Sequence, residues 1–494
     1  MSVVVILALP VIAALLVLIP AGRRWVPGVT VAFCVANLVL VARLAWQVVT
    51  VGAPKELADP AWSNWIAVDG LSALILLLIA LVATTAAIYS VGYMGHENLR
   101  PKKLRLYYAN YNLFVFSMLA IPALAEPTLV WIVVELTTLC SALLVSFENT
   151  REALEAAWKY VVLSLMGAGV ALLGFLVLFA AMQAGGGGTY TWTGLIAAAP
   201  RMPPILLQTA FLLILIGLGT KVGLVPMHTW LPDAHSQAPS PVCALLSGVE
   251  TTAILYAILR LFPVMEAVPG AHVEGWALVL GLLSVGFAAF LLLQVHDYKR
   301  LFAFSTVEHM GIILTAIGLG ASAADYGAMQ QIVNHSVTKS FCFFAAGAAL
   351  LAVRTRDIAS VRGLIRRSPA AGTALVLGGL AITGAPPLAV FLSEFAILKA
   401  GLEQGQYLAT ALLALFIAIA FFGVMVHVNR MVFGAPADTP GEEEAPSAPH
   451  APFRLPASCA LALVLAAVPV LVLGVYVPEP LHRLLTLAAA ALAR

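Results

Sequence analysis

The chain has 494 residues, 62% of them hydrophobic and 10% charged, with a formal net charge of +2; soluble domains carry roughly a quarter charged residues. That composition excludes a soluble globular protein and points to a polytopic membrane protein of the all-α class. It also sets nucleic acid aside as a partner, because no basic run is interleaved with aromatics. The five cysteines, Cys34, Cys140, Cys243, Cys342 and Cys459, are far apart and sit in apolar runs. They form neither a disulfide framework nor an iron–sulfur spacing and read as small buried residues.

Apolar runs of about 20 residues, the length a helix needs to cross the hydrocarbon, occur near 3–20, 27–50, 68–93, 106–125, 127–147, 156–182, 205–229, 240–262, 275–294, 299–320, 325–353, 371–401, 407–432 and 456–476. This predicts fourteen spans in a single membrane domain covering 1–494. The first run lacks a basic leader and a small-residue cleavage site, so it reads as a span and not a removed signal. Seventeen of the 26 basic residues fall in the odd-numbered connections, for example Lys102, Lys103, Lys299, Arg300, Arg366 and Arg367. Only Lys55, Arg201, Arg260, Arg483 and Arg494 lie on the other side, so both termini are expected to face away from the cytoplasm. The expected location is the inner (plasma) membrane. The glycine run Gly185 to Gly188 is followed by no P-loop Lys-Ser/Thr pair and reads as a flexible external loop. Residues 433–455, rich in Pro, Ala and Glu, read as a cytoplasmic linker, and 456–494 as the last span with a tail.

Span seven, within GLGTKVGLVPMHTWLPDAHSQAPSP, carries Lys221 and is interrupted at Pro226. A proline inside a helix removes a donor and crowds the carbonyl four residues earlier, which frees the carbonyl of Val222. In hydrocarbon such a break survives only where protein or a water-filled cavity surrounds it. Span twelve is interrupted at Pro386 and Pro387 and carries Glu394. Two proline-broken spans five apart, each with an ionisable residue, suggest duplicated halves around an ion path. The repeats would cover 106–262 and 275–432.

Other ionisable residues lie inside spans, where each needs a partner or a proton. Glu135 is mid-span in WIVVELTTLC, and Lys221 is its natural partner. Glu250, followed by Thr251 and Thr252, reads as a second carboxylate partner for Lys221, as a relay group, or as a protonated packing residue. His309 lies beside Glu308 mid-span, and imidazole passes protons through either nitrogen. His335 and Lys339 are four apart and share a helical face, a poor metal site that suits a proton relay or a structural polar patch. Glu394 lies about two turns beyond its break, in the outer half of span twelve, and could release a proton outward. Its bland alternative is a pair with Lys399, poorly aligned at i+5. Asp233 reads as a cap or turn residue, His228 and His235 as a water access, and Glu155 with Lys159 as an interfacial anchor pair. No residue pattern for a redox cofactor or metal is present.

The stretch KVGLVPMHTWLPDAHSQAPSP, together with HDYKRLFAFSTVEHMG, NHSVTKS and FLSEF, resembles the antiporter-like membrane subunits of respiratory complex I, group 4 membrane-bound hydrogenases and multi-subunit sodium/proton antiporters. The resemblance runs over roughly spans three to thirteen. PMHTWLPDAHS, LLSGV and FSTVEHMG are most similar to component F of hydrogenase-4 type complexes. This implies a fourteen-span core with two inverted five-helix repeats. It implies Glu135 as the carboxylate of span five, Lys221 as its partner, Lys339 as the central lysine and Glu394 as the exit residue. It also implies His309 and His335 as histidines of a central polar axis. One departure is Thr252, which stands where complex I subunits carry a bridging lysine, with Glu250 off that face and water filling the link. The implied role is proton translocation, with redox chemistry in partner subunits and no cofactor in this chain. A sodium/proton antiporter subunit and a non-pumping membrane scaffold are the alternatives.

Overall fold

A computed structural model describes residues 3–20, 22–52, 57–58, 64–97, 99–268, 270–435 and 453–492. The expected linker falls largely at 436–452, outside the described residues. The chain is helical almost throughout: α1 (Val3–Leu18), α2 (Trp25–Val51), α3 (Gly70–His96), α4 (Pro101–Ala123), α5 (Pro127–Val145), α6 (Arg151–Ala184) and α7 (Pro204–Val222) come first. The interrupted middle comprises α8 (Trp230–Gln237), α9 (Ser240–Leu245) and α10 (Thr251–Leu259). Then come α11 (Glu274–Leu292), α12 (Tyr298–Gly318), α13 (Ser322–Val353), α14 (Pro369–Ile382), α15 (Ala389–Glu403), α16 (Tyr407–Phe433), α17 (Ala457–Val472) and α18 (Glu479–Ala490).

Ten of the described helices, counting interrupted spans as one, are long and apolar enough to cross a membrane, against the fourteen that hydropathy alone predicts. The other four expected places are also helical but fall short for visible reasons. α1 and α17 have 16 residues each, span twelve is split into α14 and α15, and α4 carries Tyr107, Tyr108, Asn110, Tyr111 and Asn112 in its apolar stretch. All five cysteines are buried and free.

Consecutive helices pack in two rings. In the first, α4, α5, α6, α7 and α10 each touch the next, and α10 returns to α4. In the second, α11, α12, α13, α14 with α15, and α16 do the same, and α16 returns to α11. Small residues set the closest approaches, as expected where lipid gives helices no hydrophobic reason to associate and backbone packing must hold them. A Cβ on Gly167 in α6 would lie 2.7 Å from the Gly217 carbonyl oxygen of α7. One on Gly281 in α11 would lie 2.6 Å from the Thr315 nitrogen of α12.

The break after α7 begins at Gly223, whose φ of +89° is the left-handed conformation glycine tolerates. It continues through Pro226 and resumes as one 3-10 turn, Met227–Thr229, before α8. The indole of Trp230 donates to the carbonyl of Thr220 at 2.8 Å, and the backbone N–H of Val225 donates to Ser284 Oγ of α11 at 3.1 Å. Side chains thus restore partners that the helix lost. The far end of α8 is closed by cations: Lys299 Nζ donates to the carbonyls of Ser236 and Ala238, and Arg356 donates to the carbonyl of Ser236 and to Gln237.

The glycine seams allow a direct check. Gly217→Val drives side-chain atoms into the α6 backbone, and overpacking of this kind costs about 1–3 kcal/mol; the thermal midpoint of the purified protein in detergent should fall. Gly169→Val on α6, where a Cβ meets nothing within 4 Å, should leave it unchanged.

Candidate functional site

A polar seam runs through the apolar interior from α5 to α15. Lys221 stands in the last turn of α7, where the carbonyl end of the helix dipole favours a cation, and is 2% exposed. Its ammonium donates to the Val134 carbonyl at 2.5 Å, to Thr137 Oγ1 at 2.5 Å and to Thr138 Oγ1, all on α5. The nearest carboxylate oxygen is Glu250 Oε1 at 3.7 Å. That oxygen also accepts from the Tyr160 hydroxyl at 3.1 Å, and Ser141 Oγ lies 2.8 Å from the same hydroxyl.

This corrects the expected pairing. Lys221 forms its ion pair with Glu250 and not with Glu135, whose two buried carboxylate oxygens make no hydrogen bond among the described residues. Glu250 closes a π-helical turn, Leu246–Glu250, inserted between α9 and α10. Its i→i+5 pattern adds a residue to the turn and rotates the residues beyond it relative to those before it, a device common at functional sites. Glu250 is the second carboxylate partner that the sequence offers Lys221. Thr252 spends its hydroxyl on its own helix, donating to the Gly248 carbonyl at 3.2 Å.

The same turn reaches the second ring. Ser247 Oγ lies 2.6 Å from Thr306 Oγ1 of α12, and the Ser247 carbonyl accepts from His335 Nε2 of α13 at 3.0 Å. A carbonyl only accepts, so Nε2 carries the His335 proton and Nδ1, which has no hydrogen-bond partner among the described residues, is left as an acceptor. The rings of His335 and His309 stand 5.3 Å apart. His309 Nε2 donates to the carbonyl of Ile382, the last residue of α14, at 2.8 Å, while its Nδ1 accepts from the Gln331 amide at 2.8 Å. Gln331 Oε1 in turn accepts from Ser393 Oγ at 2.5 Å, and the Asn334 amide donates to Ser393 at 2.9 Å and to the Ala389 carbonyl at 2.7 Å. The next residue is Glu394, 5% exposed. Its carboxylate lies against Gly384 at the second break, where any Cβ would collide with it and where φ is +67°. Pro386 and Pro387 lie just past that glycine, between α14 and α15.

Lys339 is fully buried on α13, donating to the Phe302 carbonyl at 2.6 Å and to Ser305 Oγ at 2.5 Å on α12. Glu308 on that helix keeps one buried carboxylate oxygen without a hydrogen bond. The seven ionisable residues singled out from the sequence therefore lie buried or half-buried along the seam, and the two breaks flank it.

Several neighbours were not legible in advance. Tyr160, Gln331, Asn334 and Ser393 are polar tips that only packing turns inward. Asp233 does not cap a helix: it pairs with Arg300 of α12 at 2.8 Å and Lys159 of α6 at 3.5 Å, joining the two rings at one membrane face. Lys159 also makes the expected pair with Glu155, at 2.7 Å. Lys399 pairs with Glu403 at 3.7 Å, leaving Glu394 to the interior. His228 Nδ1 and His235 Nε2 are buried without hydrogen bonds. A separate clamp, Arg260 on Asp69 at 2.5 and 2.7 Å with Ser72 and Tyr256, ties the end of α10 to the start of α3. The signal for it was Asp69 just before a helix, the pattern of an N-cap, and its side chain does accept from the Ser72 N–H.

Residues 125–421 match the family described as NADH:quinone oxidoreductase/Mrp antiporter, TM, and residues 63–102 match the N-terminal region described as NADH-Ubiquinone oxidoreductase (complex I), chain 5. A hydrogenase-4 component F homolog from Methylacidiphilum infernorum is 39% identical over 428 residues, 85% of this chain and 87% of that one. NADH-quinone oxidoreductase subunit N from Desulforudis audaxviator is 27% identical over 93% of this chain and 91% of its own length. A Na(+)/H(+) antiporter subunit A1 from Staphylococcus aureus is 30% identical over 68% of this chain but 43% of its own. In fold, the chain is similar to one in the archaeal membrane-bound sulfane sulfur reductase, with a TM-score of 0.87 at 24% identity, covering 99% of this chain and 97% of that one. It is likewise similar to a chain of the Mrp complex from Dietzia, with a TM-score of 0.86 at 20% identity over 99% and 97% of the two chains. The chain belongs to the NADH:quinone oxidoreductase/Mrp antiporter transmembrane family.

Proposed function

We propose that this chain is a proton-translocating membrane-arm subunit of a hydrogenase-like or NADH–quinone oxidoreductase-like complex, driven by redox chemistry in partner subunits. One observation carries the reading: a lysine held on a carbonyl and two threonine hydroxyls, 3.7 Å from a buried carboxylate, at the mouth of a broken helix. Burying an ion pair costs several kcal/mol per ion that mutual attraction repays only in good geometry. Small changes in their separation therefore decide where a proton resides.

In this reading Lys221 in its charged form is stabilised by Glu250 and by the α5 oxygens. Drawing Glu250 away leaves the ammonium uncompensated, so its proton passes to the nearest acceptor, with Glu135 and water in the α5–α7 space as candidates. Across the π-turn, water joins the first ring to His335, whose free Nδ1 accepts a proton. His309 and Lys339 continue the line, and Glu394 at the second break releases the proton. The two rings are read as inverted repeats, which gives the two broken helices equivalent places. On the distribution of basic residues we read Lys299 and Arg300 as facing the cytoplasm and both termini as facing away from it.

The sodium/proton antiporter reading is supported by relatives named as Na(+)/H(+) antiporter subunits from Staphylococcus aureus and differs in the coupling ion.

Three outcomes test these assignments. Glu250→Gln should lower redox-coupled proton uptake by inverted membrane vesicles by on the order of ten-fold or more, the scale of losing a positioned proton-transfer group, and Lys221→Ala should do the same. Unchanged uptake in Lys221→Ala would leave a scaffold as the better account. Uptake measured in sodium-free potassium buffer should match that in sodium buffer; a strict sodium requirement would favour the antiporter. Alkaline phosphatase fused at either terminus should be active, and inactivity at both would reverse the orientation.

A further inference from the structure

On the outer face of the second ring a groove of about 580 Å³ lies between α11 and α16, lined by Val279, Leu283, Phe287, Phe290, Leu412 and Phe416 among others, with Gly286 at its floor. It is almost wholly apolar. At its end it meets a second cavity of about 500 Å³, with which it shares Leu291 and Gln294. That cup is lined by polar and charged groups, including Gln237, His296, Asp297, Arg300 and Asp357. We propose that groove and cup together form a binding site for one phospholipid with a zwitterionic aminophosphate headgroup, its acyl chain in the groove and its headgroup in the cup.

Length, width and charge each support this occupant. From Val279 to Leu291 the helix rises about 18 Å at 1.5 Å per residue, close to one leaflet, which is half of a hydrocarbon core of about 30 Å. A hydrocarbon chain is thin enough to lie within the groove, whereas a helix about 10 Å across would lie over it. The cup stands where the apolar face of α11 ends and the loop before α12 begins, the level of a headgroup.

Its formal charges, leaving histidine aside, are one Arg against two Asp, which disfavours a purely anionic headgroup. A zwitterion suits both signs. Arg300 Nη2 holds Asp233 at 2.8 Å, while its other two guanidinium nitrogens and the ring of His296 make no hydrogen bond among the described residues and can donate to phosphate. Asp297 accepts from the N–H groups of Lys299 and Arg300 and from Ser236, and Asp357 accepts from Ser360. Both carboxylates keep acceptor capacity for an ammonium, since each carries about four lone-pair sites. A trimethylated amine has no N–H to offer them.

The site also touches the seam. Ser236 and Gln237 belong to α8, the second half of the broken helix, and Arg300 is the residue that joins α12 to Asp233. A headgroup in the cup therefore contacts the end of α8 that Lys299 and Arg356 hold.

The test uses the purified full-length chain in mild detergent, offered equal amounts of dioleoyl phosphatidylethanolamine, phosphatidylglycerol and phosphatidylcholine and read by native mass spectrometry. One phosphatidylethanolamine should be retained per chain, with a preference of about ten-fold or more over the other two. Leu283→Trp, at a half-exposed position that tolerates bulk, should reduce retention of all three lipids, and Asp357→Asn should remove the headgroup preference while leaving the thermal midpoint unchanged. Equal retention of the three headgroups, or retention that Leu283→Trp does not alter, overturns the proposal. A photo-crosslinker at position 283 in native membranes should yield a lipid adduct; capture of a partner subunit's peptide there would overturn it as well.

Discussion

A backbone carbonyl set free inside a bilayer has no water to bond, and the two helix breaks of this protein are built around how such groups are answered. The first broken helix answers with the indole of Trp230 on the Thr220 carbonyl, the second with the imidazole of His309 on that of Ile382. In the second case the capping group is itself titratable. Protonation of His309 would alter its tie to Gln331 before its tie to α14, because Nδ1 is the accepting nitrogen. The group that repairs this helix end is thus one that can also take up a proton.

The same economy governs Lys221. Three oxygens of α5 satisfy the three N–H bonds of its ammonium, so the nearby Glu250 supplies charge compensation at 3.7 Å without being needed as a hydrogen-bond acceptor. An ion pair of that kind can lengthen without leaving a donor orphaned, which a directly bonded pair cannot do. Glu250 meanwhile keeps a bond from Tyr160. Within α8, Asp233 is shared between Lys159 and Arg300, so the half-helix beyond the break is anchored to both rings.

Beside Thr252 the π-turn serves both rings: it ends at Glu250, which pairs with Lys221 on one side, and holds Ser247, whose carbonyl accepts from His335 on the other. Gly248 lies between them, where a Cβ would stand 3.1 Å from the Ser336 carbonyl oxygen, so the turn can press against α13.

Composition and hydropathy by themselves determined that this is an all-helical membrane protein with helices at fourteen places and breaks at Pro226 and at Pro386–Pro387. Burial of long apolar runs and the missing N–H of proline are local properties, readable without a fold. The buried Glu, Lys and His were legible too, because a charge inside an apolar run stands out against its neighbours. Tertiary structure alone decided which charges meet. Glu135 and Glu250 were both legible as carboxylate partners for Lys221, and only the packing shows that Glu250 makes the ion pair. Asp233 read as a cap and became a bridge, and Tyr160, Gln331 and Ser393 read as ordinary residues and became links of the seam. Pairing across helices depends on the rotation of each helix about its axis, and one inserted residue shifts that rotation by about 100°, a change that no count of residues along the chain reveals.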